Sequence, residues 1–416
     1  MRTIIIISVA AVSMSMSAVR AANRPFIFGM NPIGGAEAGR DPKIHDPAMY
    51  KAIAAAGGTI VRIGFNWDQI EREKGKPNWE NLDRDVNFAV DNNLAIVGLI
   101  NSTPSWASPT GKDTPFYAPK RESMGDFESF CRQLVARYKG RIKFWEIWNE
   151  ANGWGWHTDK GYNQTEEYMP VLKASYKTLK AADPTCLVGA TGLDDAGGNA
   201  EIFLRKIYEL GGKGYFDAVI DHPYYEGQYR MDKLLKLRKI MDDNGDKALP
   251  IWITENGWNT DGDPEKAKQI GVYLKDYLDQ IDRPDYDWIP IATYHTICDF
   301  SMKYGLMDKN LNPRPAYEVF KSYLKPARPV ASDVKIEAIG KGTVRVTCKT
   351  NTPATARVLY GTTRNYGEMT GSTALGTKHT VKILGLKSGT LYQFRIRPAT
   401  GTYNFSFSSN HEVKVK

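Results

Sequence analysis

Cysteine is scarce in this chain: four residues in 416. Cys131, Cys186, Cys298 and Cys348 lie far apart, form no C-x-x-C and have no histidine at ligand spacing, which argues against a structural zinc site. Four cysteines permit three pairings, and no disulfide framework is expected. Histidine is sparse as well, at 6. No metal and no cofactor is therefore expected. Beyond the N-terminus no apolar run approaches the roughly 20 residues of a membrane helix, so no membrane span is expected there. Tryptophan stops early: all 10 lie between Trp67 and Trp288. Acidic residues are the last shortage. Residues 330–416 hold 13 Lys or Arg against 4 Asp or Glu, whereas the whole chain is only +8. The remainder is close to neutral, so the excess positive charge belongs to the tail. Such a module could contact an anionic glycan or a cell surface, or simply carry charge on solvated strand faces. No nucleic-acid partner is expected.

The N-terminus has the build of a secretory signal. Arg2 supplies charge, Ile4 to Val12 an apolar core, and Val19-Arg20-Ala21 a small-residue cleavage site. Residues 1–22 are read as that signal, which implies a secreted or periplasmic protein.

The stretch that organises the rest is KFWEIWNEANGWGW, Lys143 to Trp156. An apolar, aromatic run (Phe144, Trp145, Ile147, Trp148) halts at Asn149-Glu150 and a glycine-rich loop. PIWITENGW, Pro250 to Trp258, repeats the design: an apolar strand, a closing glutamate (Glu255) and a tryptophan close behind. Two carboxylates placed this way suit glycoside hydrolysis, which needs one acid and one nucleophile or base.

The intervening pattern alternates short apolar runs with amphipathic helices. Strands are read at Phe26–Phe28, Thr59–Phe65, Leu94–Ile100, Lys143–Glu150, Leu187–Ala190, Phe216–His222, Ile251–Glu255 and Ile289–Tyr294. The eight strand-helix units predict a (β/α)8 TIM barrel over residues 23–324, with its site at the strand C-termini. Glu150 and Glu255 end strands four and seven, and Asn31, Arg62, His222, Tyr224 and Tyr294 also fall at strand ends. KPARPV marks a linker at 325–330. From 331 to 416 the period changes to two, broken by Gly, Pro and Asn turns, which predicts a small all-β sandwich. Because this module lacks tryptophan, its deletion is expected to leave activity on short oligosaccharides nearly intact.

At WEIWNEANGW and WITENGW, supported by VRIGFNWDQIEREKG, NSTPSWASP, HPYYEG and RPAYEVFKSYL, the sequence resembles the clan A retaining glycoside hydrolases. In look it is closest to glycoside hydrolase family 39, and the GTLYQFRIRP strand of the tail resembles a fibronectin type III module. The resemblance implies Glu150 as general acid/base and Glu255 as nucleophile. It implies that Asn149 holds the hydroxyl next to the reacting carbon, that Arg62 and Tyr224 hydrogen-bond Glu255, and that His222 lines the site. The clan commonly ends strand eight with a tryptophan under the reacting sugar. Here the run is ATYHTICDF, so Tyr294 or His295 takes that place.

The aromatics divide by position. Trp145 and Trp252 lie mid-strand and read as core. Trp106, Trp154, Trp156 and Trp258 lie in loops after strands and read as sugar platforms, joined by Tyr224, Tyr225 and Tyr229. Platforms on several loops point to an open cleft and an endo-acting enzyme on a carbohydrate polymer or oligosaccharide. The alternatives are an exo-acting, β-xylosidase-like glycosidase and a non-catalytic carbohydrate-binding protein.

Overall fold

The computed structural model describes residues 27–32, 46–112, 116–153, 156, 164–194, 199–299, 302–323 and 327–416. The expected signal at 1–22, Trp154 and part of the 325–330 linker lie outside them.

Eight strands form one sheet: β1 (Ile27–Met30), β2 (Ile60–Asn66), β3 (Ala95–Asn101), β4 (Phe144–Ile147), β5 (Leu187–Asp194), β6 (Ala218–His222), β7 (Ile251–Ile253) and β8 (Ile291–Tyr294). Their order is β1-β8-β7-β6-β5-β4-β3-β2, and every pairing between them is parallel. The Thr59 amide donates to the Phe28 carbonyl at 3.0 Å, which brings β1 beside β2 and closes the ring. Helices follow the strands: α1 (Pro47–Ala55), α2 (Glu80–Asp91), α3 (Met124–Tyr138), α4 (Gln164–Ala182), α5 (Ala200–Glu209), α6 (Asp232–Asp243), α7 (Pro264–Ile281) and α8 (Pro315–Ser322). This is the (β/α)8 barrel.

Local chemistry sets the element boundaries. The strands are apolar on both faces because the barrel interior fills one face and helices cover the other. α1 and α7 both start with Asp-Pro. The Asp46 and Asp263 carboxylates each accept an amide two residues on, at 2.8 Å, and proline occupies the first turn where its missing N–H is not needed. Strands β4, β6, β7 and β8 are shorter than the apolar runs that encode them. At β4 and β7 the chain leaves ladder geometry just before its polar residues, so Asn149, Glu150 and Glu255 sit on the rim.

The C-terminal module is antiparallel: β9 (Ala331–Gly340), β10 (Thr343–Gly361), β11 (Glu368–Ile383), β12 (Leu391–Ala399) and β13 (His411–Lys414). The long β10 pairs with β9 over its first half, with β12 over its second, and with β11 along both. The register shifts between Lys349 and Ala356, where β10 bends. Val344, Val346, Val358, Phe394 and Ile396 form a separate apolar core.

The module's position bears on the expectation that its deletion leaves activity nearly intact. It packs against the barrel's floor, the end opposite the strand C-termini. Tyr403 stacks on Phe144 with centroids 5.5 Å apart and planes 3° off parallel, and Phe405 lies 6.2 Å from the same ring. Phe405 and Phe407 belong to the barrel's own apolar core. Arg395, buried, donates to the Val90 carbonyl at 2.9 Å and to Asp91 at 2.6 Å, at the C-terminal end of α2. There a cation also meets the negative pole of the helix. Arg364 pairs with Asp91, Arg397 donates to the Gly140 carbonyl, and Arg328 to the Asn93 carbonyl. Three of the module's arginines therefore face the barrel, while its lysines stay exposed to solvent.

Candidate active site

A cluster of buried charge lies inside the barrel just below its mouth. Arg62 of β2 is its hub. Nε and Nη2 grip the Glu146 carboxylate at 2.7 and 2.8 Å, Nη2 also donates to Asn149 Oδ1 at 2.8 Å, and Nη1 donates to Glu255 Oε1 at 2.5 Å. A guanidinium suits this place because its planar fork serves several acceptors at once. Asn149 Oδ1 takes the arginine proton, which orients the amide NH2 as a donor.

Glu146 is the residue that sequence reasoning missed. It is fully buried in the middle of β4, and without it Arg62 would carry a buried charge balanced by Glu255 alone. The signal was present: two isolated charges, Arg62 and Glu146, stand in otherwise apolar strands, and buried charges require partners.

His222, at the end of β6, joins the two strand-end glutamates. Its Nδ1 lies 2.9 Å from Glu150 Oε1 and 3.9 Å from Glu255 Oε2, while Nε2 lies 3.0 Å from the Thr254 hydroxyl. Gly192 makes room for the ring, since a Cβ there would fall 2.2 Å from Nε2. One oxygen of each glutamate and one ring nitrogen of His222 lie within 4.8 Å of one another. That closeness belongs to the retaining arrangement of carboxylates, roughly 5 Å apart, and is well short of the roughly 6.5–9.5 Å that inversion needs. The same three donors have metal-like spacing. Both ring nitrogens are engaged with protein, however, so His222 offers no lone pair to an ion.

The two glutamates hold protons differently. Burial pushes the Glu150 carboxyl up, against the pull of His222, and the charge of Glu255 adds to the rise. Glu150 Oε2 has no hydrogen-bond partner among the described residues. Burial acts on Glu255 too, but His222, Arg62 and His295 outweigh it, and the Tyr224 hydroxyl donates to Oε2 at 2.9 Å. Glu255 is held far below the ordinary carboxylate range. His222 is lifted by the facing carboxylates in spite of its burial. The backbone carries strain here: Trp148 and Glu150 adopt φ of 73° and 49°, left-handed values that non-glycine residues avoid.

The remaining candidates scatter. Asn31 Nδ2 donates to the Thr254 carbonyl at 3.0 Å, inside the barrel below the rim. His295 lies beside Glu255, its Nδ1 3.8 Å from Oε2, whereas Tyr294 is fully buried with its ring towards Trp258. Adjacent strand residues point to opposite faces, so only one of the pair can enter the mouth. Trp258 is itself buried, its indole N–H donating to the Gly227 carbonyl at 2.7 Å. Trp156 packs on Trp148 and Tyr168, and Tyr229 on Tyr277, so neither offers an open face. Trp106 is half-buried, edge-on to Trp67, with Lys74 over its ring. Tyr304, not singled out from sequence, lies 6.0 Å from Tyr224 and 5.6 Å from His295. A cleft of about 860 Å³ opens beside Tyr224 and Tyr304, walled by Tyr225, Trp258 and Tyr273. Tyr224, which donates to Glu255, forms part of its wall.

Residues 43–194 match the model of Glycosyl hydrolase family 10. The chain is 24% identical over 305 residues to endo-1,4-beta-xylanase B of Thermotoga neapolitana, covering 65% of this chain and 82% of that protein. It is 24% identical over 276 residues to endo-1,4-beta-xylanase 5 of Arabidopsis thaliana, of which it spans only 45%. Among solved structures, a family 39 glycoside hydrolase from Bacteroides cellulosilyticus superposes with a TM-score of 0.59 at 20% identity, over 89% of this chain and 80% of that one. Xylanase 10B from Thermotoga maritima gives 0.53 at 20% identity, over 73% and 96%. The barrel, its paired glutamates and the family match make this chain an O-glycosyl hydrolase of the retaining, clan A type. Within that class it is similar in sequence to family 10, and it shares its fold with enzymes of families 10 and 39.

Proposed function

We propose that the chain is an exported, endo-acting glycanase that cleaves β-linked backbones of the xylan kind by double displacement. The observation that carries the reading is the pair Glu150 and Glu255, within 4.8 Å and driven to opposite proton affinities. Glu255, kept ionised by Arg62 and Tyr224, attacks the anomeric carbon as Glu150 protonates the departing glycosidic oxygen. This leaves a covalent glycosyl-enzyme. Glu150, now a carboxylate oriented by His222, then takes a proton from water, which attacks the same carbon and releases Glu255. The Asn149 amide, fixed by Arg62, is placed to hold a hydroxyl of the reacting sugar. Export is supported by the Arg2, Ile4–Val12 and Val19–Ala21 pattern. Xylan is supported by relatives named as endo-1,4-beta-xylanases.

Digestion of a polysaccharide panel, with product sizing and proton NMR of the first-formed anomer, tests the reading. Mixed oligosaccharides with retained configuration are expected from xylan, with viscosity falling before much reducing sugar appears. An inverted product would end the double-displacement account. One observation favours an exo-acting glycosidase instead. Trp156 and Tyr229, expected as platforms of an open cleft, are buried. Monosaccharide as first product with a slow fall in viscosity would decide for that alternative.

A further inference from the structure

His295 carries an anomaly that the double-displacement chemistry does not use. The residue is 3% exposed, and its Nδ1 has no hydrogen-bond partner among the described residues. A buried polar atom left so costs about 1–3 kcal/mol, and native proteins satisfy nearly all such groups. The ring is nevertheless fixed. The His295 amide donates to the Asn256 carbonyl at 2.8 Å, and a Cβ on Gly257 would fall 2.4 Å from the His295 carbonyl oxygen, so the two strand ends touch. Tyr224 and Tyr304 stand edge-on to the imidazole at 6.3 and 5.6 Å. A rigid, unpaired nitrogen therefore faces the Glu255 carboxylate from 3.8 Å, too far for a direct hydrogen bond.

We propose that His295 is a specificity-determining residue whose Nδ1 hydrogen-bonds one hydroxyl of the sugar attacked by Glu255. The distance supplies the geometry. A single hydroxyl oxygen about 2.8 Å from both atoms spans a 3.8 Å gap, donating to Glu255 Oε2 and accepting from Nδ1–H. Burial depresses the imidazole's proton affinity, and the tautomer with hydrogen on Nδ1 offers one N–H there. Until the sugar arrives, Nδ1 pays its desolvation without return. The ligand's hydroxyl, and no protein group, completes the site.

The proposal rests on the glycosidase reading, and its test separates the two. A panel of aryl β-glycosides identifies the sugar turned over by the full-length protein, and that sugar is then offered in each monodeoxy form. For the wild type, one deoxy position is expected to lose about 10⁴–10⁵-fold in kcat/KM, as a site built to bond a hydroxyl rejects its absence. In His295→Phe that penalty should shrink at least tenfold at this position and remain unchanged at the others. His295→Asn, which can put an amide near Nδ1, should restore part of it. A uniform loss at all positions would overturn the proposal. The unfolding temperature of the unliganded protein is read without any turnover. His295→Phe should hold or raise it, because an unpaired buried nitrogen disappears. A clear fall would mean that His295 is a packing residue, whatever the fate of the glycosidase reading.

Discussion

At the mouth of the barrel, Arg62, Glu146, Glu150, His222 and Glu255 are buried together, and the left-handed backbone falls on Trp148 and Glu150. At the floor, left-handed backbone falls on Asn93 and Gly140, residue types that adopt it at little cost, and on Tyr366 of the module. There the contacts are aromatic stacking and arginines donating to carbonyls at helix and loop ends. Each strained residue at the mouth costs on the order of 1–3 kcal/mol. The lesson is a division of labour along the barrel axis. The mouth gathers buried opposite charges around the paired glutamates, and the floor joins module to barrel by aromatic stacking and by buried and half-buried arginines on carbonyls.

The sharpest break in this comparison is Glu255→Gln. Turnover should fall on the order of 10⁴-fold or more on every substrate. The unfolding temperature should fall less than in Glu146→Ala, because the neutral amide keeps a hydrogen bond with Arg62 or Tyr224. Glu146→Ala should damage both properties at once. Removing one partner of a buried ion pair costs about 3–5 kcal/mol, and an untethered Arg62 would no longer fix Asn149 and Glu255. If Glu146→Ala kept wild-type kcat/KM, the hub role of Arg62 would have to be abandoned.

Phe405→Ala is the matching break at the floor. It should cost about 3 kcal/mol in denaturant unfolding while leaving kcat unchanged per folded molecule. Deletion of 330–416 should then yield an insoluble or molten barrel by circular dichroism. A stable, active truncation would restore the picture of a detachable tail.

The smallest effect is in pH. Glu150 must be protonated to act, so kcat/KM falls as pH rises through its pKa, which burial and the Glu255 charge lift above the ordinary range. Glu255 must be ionised and is held so to well below that range. The profile should show a basic limb displaced upward and an acid limb far to the acid side. On activated aryl glycosides, Glu150→Gln should abolish the basic limb of the first step.

The reactive pair was legible because a glutamate closing an apolar strand is a local pattern, and the barrel follows from strand–helix alternation. Glu146 was not, because one charge inside FWEIW reads as part of the strand until β2, two strands away in the barrel, supplies Arg62. The loop aromatics misled for a different reason. Trp156 and Tyr229 follow strands as platforms would, but sequence position does not say whether a ring turns towards the mouth or back into the packing. The module's site was beyond reach because its contacts with Val90, Asp91 and Gly140 join segments more than 250 residues apart.

That separation bears on how the protein is made. Lys143 Nζ donates to the Thr402 carbonyl 259 residues downstream, beside the Tyr403–Phe144 stack. At ribosomal rates of about 5–20 residues per second, fourth-strand residues wait roughly 13–50 s for their floor contacts to be synthesised. Throughout that interval the nascent barrel exposes an apolar underside. Closure of the floor thus depends on contacts of high sequence separation, which form slowly. Until they form, the apolar underside is a surface that chaperones can hold.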